Sequence, residues 1–153
     1  IILIVKTYQM KTGFKGIELI KSFEGLKLKA YLCPAGVWTI GYGNTFYPNG
    51  KSVKKGDVIT EQVAENILID TLKGFEFTVM QRVKVPISQN KFDALVSHTF
   101  NTGGSNTLFN LVNRKATNEE IYNWFTTKYI TGGGVKLSGL VRRRKAEADL
   151  YFS

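Results

Sequence analysis

Phe14, Ile17, Ile20 and Phe23 recur at helical spacing, with Glu18 and Lys21 between them. That pattern predicts an amphipathic helix over 14–25, stopped at Gly25. The period then changes. Leu26, Leu28, Ala30 and Leu32 alternate with Lys27, Lys29 and Tyr31, a Pro34-Ala35-Gly36 turn follows, and 37–43 is rich in β-branched and aromatic residues. Alternation around a turn predicts an antiparallel hairpin. Asn49-Gly50 is a second turn signal and implies a third short strand near Lys51–Val53. From Thr60 onward the pattern is helical. Thr60 caps a helix to about Val83, with Gly74 as a candidate interruption. Ser88 caps a strongly apolar central helix of Phe92, Leu95, Val96 and Phe100 that breaks at Gly103-Gly104. A short helix is expected near Asn106–Asn113. Thr117-Asn118-Glu119-Glu120 has capping-box spacing and starts a helix to about Tyr129. Gly132-Gly133-Gly134 reads as a flexible loop. Ser138 opens a last helix, with Val141, Ala148 and Tyr151 on its apolar face.

Strands and helices are segregated, so the fold class is α+β. The sheet and first helix are expected in one lobe and the later helices in a larger one, with a cleft between them as the ligand site. A chain of 153 residues supports one domain, placed at 14–153. Residues 1–13 read as an N-terminal extension. Its Ile1–Lys6 run is too short to span a bilayer and lacks the basic flank of a signal peptide. A short strand, the stub of a removed segment and appended sequence stay open for it, with Met10 a candidate start.

The net charge of +9 favours anionic partners such as nucleic acid, acidic lipid or bacterial wall, without choosing among them. The densest run, Arg142-Arg143-Arg144-Lys145, lies within the last helix and reads as a solvated face. The single cysteine, Cys33, excludes an intramolecular disulfide and a multi-cysteine zinc site. With one histidine, His98, no structural metal is expected.

The chemistry concentrates in one segment. Glu24 is followed by eight residues, then Cys33, then five residues, then Thr39, and Trp38-Thr39-Ile40-Gly41-Tyr42-Gly43 surrounds the last of these. This spacing resembles the signature of the phage-type lysozymes, the glycoside hydrolases that include phage endolysins. The resemblance runs from about Gly16 to Tyr151. It takes in Pro86–Ser97 as the central helix, Phe100-Asn101-Thr102-Gly103 and Gly139-Leu140-Val141-Arg142-Arg143-Arg144. It implies a lysozyme-like fold and hydrolysis of the β-1,4 bond between N-acetylmuramic acid and N-acetylglucosamine by direct water attack, with inversion. It implies Glu24 as general acid, and Cys33 and Thr39 as the groups that position the water. Asn101, Tyr129 and Arg142 are implied as substrate-binding, with Arg143 the alternative to Arg142. No cofactor and no metal are implied. The expected partner is bacterial peptidoglycan, met by a monomer without nucleic acid or stable membrane insertion. The expected location is the host bacterial cytoplasm before release to the wall or periplasm.

Elementary chemistry agrees with the transfer. Cleaving a glycosidic bond requires a proton for the leaving oxygen and a stabilised oxocarbenium-like transition state. A carboxyl group at a helix C-terminus faces the negative end of the macrodipole, the sign a proton donor needs. A thiol with its ordinary pKa is mostly neutral near pH 7, so Cys33 is expected to place water and not to act as a strong base. Nearby Lys27 and Lys29 would favour thiolate. Each residue also has a plain alternative: Glu24 as a solvated helix-end charge, Cys33 as a small buried hydrophobe, Thr39 as a strand residue. Trp38, Tyr42, Trp124 and Phe125 read as packing, and His98 as a core or boundary residue. Asn44 stands where many relatives carry a histidine, which predicts altered stability more than lost activity. A non-catalytic peptidoglycan-binding module and a basic nucleic-acid binder are the competing functions. The first would lose the acid, which is present. The second would need a recognition helix or aromatic platforms in a basic patch, which the sequence lacks.

Overall fold

The computed structural model describes residues 10–153. The predicted elements form, with informative differences at the edges. Helix α1 is Phe14–Glu24, and Gly25 ends it with φ +73° while its N–H donates to the Lys21 carbonyl. Only a residue without a Cβ takes that backbone conformation cheaply. Strands β1 (Lys27–Leu32) and β2 (Trp38–Gly41) pair antiparallel, with Leu32 opposite Trp38 and a register irregularity between Lys27 and Tyr31. On β1 Ala30 is buried, while Leu28 and Leu32 are exposed. The buried strand is β2, whose Thr39, Ile40 and Gly41 are all covered. The expected third strand is reduced to an isolated bridge between Phe46 and Ser52 after the Asn49-Gly50 turn.

Helix α2 (Glu61–Arg82) is capped by the Thr60 hydroxyl, which accepts from Val63 N–H at 3.1 Å, and it passes Gly74 without interruption. Helix α3 (Gln89–Thr102) is capped by Ser88 and closed by Gly103. Helix α4 is Asn106–Asn113, and α5 (Asn118–Thr127) starts on the predicted Thr117 cap. The helix α5 stops two residues short of Tyr129. The glycine-rich segment is ordered as a small hairpin, β3 (Thr131–Gly132) with β4 (Val135–Lys136), and is not a free loop. Helix α6 spans Ser138–Tyr151.

The described residues divide into two compact units, Ile20–Lys73 and, in the other, 10–19 with Gly74–Ser153. The boundary passes through α1 and α2, so the first helix does not belong wholly with the sheet as the sequence suggested. The reason lies in how α1 begins. Thr12 donates through its backbone N–H and hydroxyl to Glu76 at 2.7 and 2.6 Å, and Asp93 accepts from the N–H groups of Gly13 and Gly16 at 2.9 and 3.2 Å. A Cβ on Gly16 would lie 2.7 Å from the Asp93 Cβ, so that approach requires glycine. Residues 10–13 are therefore fastened to the helical unit. The rest of the predicted extension, residues 1–9, lies outside the described residues.

The sheet unit has a core of Ala30, Ile40 and Val53, with Trp38, Tyr47 and Ile59 packed on it. Ala64, Ile67, Leu68 and Leu72 of α2 are buried in the same unit. The helical unit is built on α3, which packs chiefly against α6. Residues Phe92–Thr99 are all buried, so α3 is covered on every side, as its apolar content predicted.

Candidate active site

Glu24 is the last residue of α1 and is half-buried. Only Gly25 and Leu26 separate it from β1, so helix end and hairpin are joined by a short link. Cys33 follows β1 directly. Its N–H donates to the Val37 carbonyl at 3.0 Å, and its carbonyl accepts from Gly36 N–H at 2.8 Å, closing the turn. Cys33 is a free thiol and half-buried, so it is not the covered hydrophobe of the plain alternative.

The hairpin register brings Thr39 back beside Cys33. The Thr39 hydroxyl lies 2.9 Å from the Val37 carbonyl, and Thr39 is 4% exposed. Hydrogen bonds from the backbone at Val37 and Ala35, with a smaller contribution from the Thr39 hydroxyl, hold the Cys33 thiol below its ordinary pKa. The lysines expected to favour thiolate are not among the causes. Turn geometry does that work, because backbone dipoles converge on the sulfur. The single Thr39 proton serves either the Val37 carbonyl or the sulfur, and its lone pairs can accept from a water.

Asn44 Nδ2 donates to the Thr71 hydroxyl at 2.8 Å, and its backbone exchanges two hydrogen bonds with Ile40. It ties the segment after β2 to α2, a scaffold role for the position where a histidine was anticipated.

The helical unit carries the other candidates. Asn101 is exposed on α3, and its Oδ1 accepts a hydrogen bond from Arg144 Nη2. Tyr129 is 46% exposed and has φ +57°, a strained backbone for a bulky residue. Its ring stands edge-on to His98 at 5.4 Å and tilted against Trp124 at 5.9 Å. His98 is fully buried, ringed also by Phe125 at 5.6 Å. Burial first, then the charges of Arg144 and Arg143, push its pKa down to about 3. A neutral, enclosed imidazole is a packing element, in keeping with the sequence reading.

The arginine run departs from its reading as a solvated face. Arg142 is exposed, but Arg143 and Arg144 are buried around Glu147, which is itself fully buried. Arg143 Nε lies 3.4 Å from Glu147 Oε2 and Arg144 Nη1 3.3 Å from Oε1, while the Ser97 hydroxyl donates to Oε2 at 2.6 Å. Burial raises the Glu147 pKa and the two guanidiniums oppose it. Sequence reasoning missed Glu147, yet a signal existed. Arg144, Glu147, Ala148 and Tyr151 share the i, i+3, i+4, i+7 stripe that was recognised only for its apolar members.

Among the described residues, no group of three or more His, Cys, Asp or Glu side chains could hold a metal ion, and no helix is long and apolar enough to cross a membrane.

With this geometry in hand, similarity to known proteins decides the family. The family model described as Phage lysozyme matches residues 21–147. The chain belongs to the phage lysozyme family. It is 38% identical over 151 residues to the endolysin of Acyrthosiphon pisum secondary endosymbiont phage 1, covering 94% of this chain and 99% of that protein. Among solved structures, the endolysin from Escherichia coli O157:H7 phage FAHEc1 superposes with a TM-score of 0.83 at 37% identity, covering 95% of both chains. The muramidase domain of SpmX from Asticaccaulis excentricus superposes with a TM-score of 0.77 at 34% identity, covering 95% of this chain and 99% of that one. The α+β, lysozyme-like fold expected from sequence is thereby established, and with it a lysozyme-type glycoside hydrolase activity.

Proposed function

We propose that the chain hydrolyses the β-1,4 bond between N-acetylmuramic acid and N-acetylglucosamine in bacterial peptidoglycan, with Glu24 as the general acid. Glu24 gives a proton to the bridging oxygen as the bond to the anomeric carbon breaks. Positive charge develops on the sugar ring, and a water attacks from the opposite face with inversion, releasing its proton to solvent as the new C–O bond forms. Thr39 accepts a hydrogen bond from that water, and Cys33 holds it alongside. With its pKa lowered, the thiol carries more negative charge near neutral pH than a free cysteine, so it also offers electrostatic support to the cationic transition state.

Asn101, Tyr129 and Arg142 are assigned to glycan binding. Tyr129 offers an aromatic face, and its strained backbone is the kind of cost that a functional position retains. Arg142 is the exposed arginine of the run and suits an anionic or acceptor group on the wall, with Arg143 the alternative. The enzyme acts as a monomer after release to the cell wall, without nucleic acid or membrane insertion.

The observation that carries this reading is the Glu24, Cys33, Thr39 spacing, with Glu24 at the end of α1 and Cys33 and Thr39 on the two sides of the hairpin turn. The test is product analysis of digested peptidoglycan. Wild type should release fragments with N-acetylmuramic acid at the reducing end. Glu24→Gln should release none while still sedimenting with walls. Equal cleavage by the two proteins would remove Glu24 from the chemistry.

A further inference from the structure

A cavity of about 320 Å³ lies in the helical unit, where the segment before α3 meets α4, α5 and the end of α6. Val85, Ile87, Val112 and Ile121 give it hydrocarbon walls. Lys91, in the first turn of α3, and Lys115, between α4 and α5, bring two cationic side chains to its lining. Among the described residues, no acidic side chain lines it and neither lysine has a carboxylate partner. Lys115 takes φ +54°, a conformation that glycine or asparagine adopts at lower cost, so the chain keeps a cation where its backbone favours a smaller residue.

Tyr151, the last residue of α6, also lines the cavity. It is 2% exposed and packs against Phe125 and Phe152, with ring centroids 5.5 and 4.8 Å away, while Lys91 Nζ lies 5.1 Å from its own ring centroid. Its hydroxyl has no hydrogen-bond partner among the described residues. Buried tyrosine hydroxyls are normally paired, so this one is a donor in want of an acceptor. Burial pushes its pKa up to about 12, so it holds its proton throughout the neutral range.

We propose that this cavity binds the carboxylate end of a short aliphatic chain. The two lysines supply positive charge, the Tyr151 hydroxyl supplies a directed donor, and the hydrocarbon walls cover the chain. A compact, fully hydrated anion would lose water against those walls without gaining contacts. A neutral apolar molecule would leave the hydroxyl unpaired. The volume is at the small end for ligand pockets, with room for a peptide end and not for a glycan strand. Two sources carry such a group: the D-alanine terminus of the peptide stems in bacterial wall, and a free short-chain acid. The site goes beyond the hydrolase reading. Lys91 lies in the first turn of α3 and Asn101 in the last, about 15 Å further along the helix.

The experiment titrates the whole chain, labelled with 15N, with N-acetyl-D-alanyl-D-alanine, its C-terminal amide, hexanoate and inorganic phosphate, and follows the amide chemical shifts. An acid that binds should move the resonances of Lys91, Ala116 and Tyr151 and saturate with a Kd of about 1–10 mM. The C-terminal amide and phosphate should bind at least about 10-fold more weakly. Tyr151→Phe, which keeps the ring in place, should weaken the acid by about 3- to 10-fold. Lys91→Gln should weaken it by a similar factor, one that shrinks as salt is raised. Saturation by the dipeptide identifies the wall stem as the source, and saturation by hexanoate alone identifies a free acid.

The proposal is overturned if neither acid moves those resonances, if the amide or phosphate matches the acids, or if Tyr151→Phe and Lys91→Gln both bind as wild type does. None of these results bears on wall cleavage or on its loss in Glu24→Gln, so the cavity and the hydrolase reading stand or fall separately.

Discussion

The hairpin that carries Cys33 and Thr39 and the helix pair that carries Asn101 and Arg144 both fix polar groups, by opposite means. In the hairpin the work is done by backbone. A tight turn aims main-chain dipoles at the Cys33 sulfur, and the residues involved lie within seven positions of one another. In the helix pair the work is done by buried ions. Ser97, Asn101, Arg143, Arg144 and Glu147 meet across 50 residues of chain, where removing a partner strands a charge in a dry interior. Damage to the first region should therefore appear as altered rate in a stable protein, and damage to the second as lost stability.

The largest contrast comes from Glu24 beside the hairpin. Glu24→Gln should lower turnover of cell walls by at least about 100-fold, the lower range for a general acid, with little change in melting temperature. A turbidity assay paired with a thermal melt reads both. Glu147→Ala should do the reverse. It leaves the buried Arg144 guanidinium without its carboxylate and should cost about 3–5 kcal/mol, measured by urea unfolding. If Glu147→Ala melted like wild type, the ion cluster would contribute nothing and the contrast would fail.

His98 sharpens the comparison through pH. Its unfolded-state pKa is about 6.5, while the folded protein holds it at about 3. Between those values the unfolded chain binds a proton that the native chain refuses. Stability from this group is complete above pH 6.5 and falls as pH is lowered toward 3, by roughly 1 kcal/mol per pH unit. His98→Phe, which can occupy the aromatic cage, should flatten that slope relative to wild type in denaturant titrations from pH 7 to 4. The smallest effect is expected at Cys33. Cys33→Ser keeps a hydrogen-bonding group but loses the lowered thiol pKa, so kcat should fall by about tenfold or less, and its basic pH limb should shift. An unchanged pH profile would leave the sulfur with a spacing role alone.

Short-range order made one region legible in the sequence and long-range order hid the other. The Glu24–Thr39 segment reads directly, because a helix stop, a two-strand alternation and a turn are local decisions. The caps at Thr60, Ser88 and Thr117 read for the same reason, each hydroxyl bonding an N–H three residues on. The exposure of Leu28 and Leu32 was not legible, because alternation assigns faces of a strand but cannot say whether anything covers them. The triple glycine was read as free for want of its partner strand.

Local propensity and spacing were thus enough to determine, from the amino acids alone, the α+β class and most element boundaries, while the family and the candidate acid came from the resemblance of the motifs to phage-type lysozymes. Tertiary structure decided which arginines are buried, which way the Asn101 amide faces, how far the pKa of His98 falls and what lowers that of Cys33. Those properties depend on desolvation and on partners brought together from distant positions, and neither quantity exists until the chain has folded.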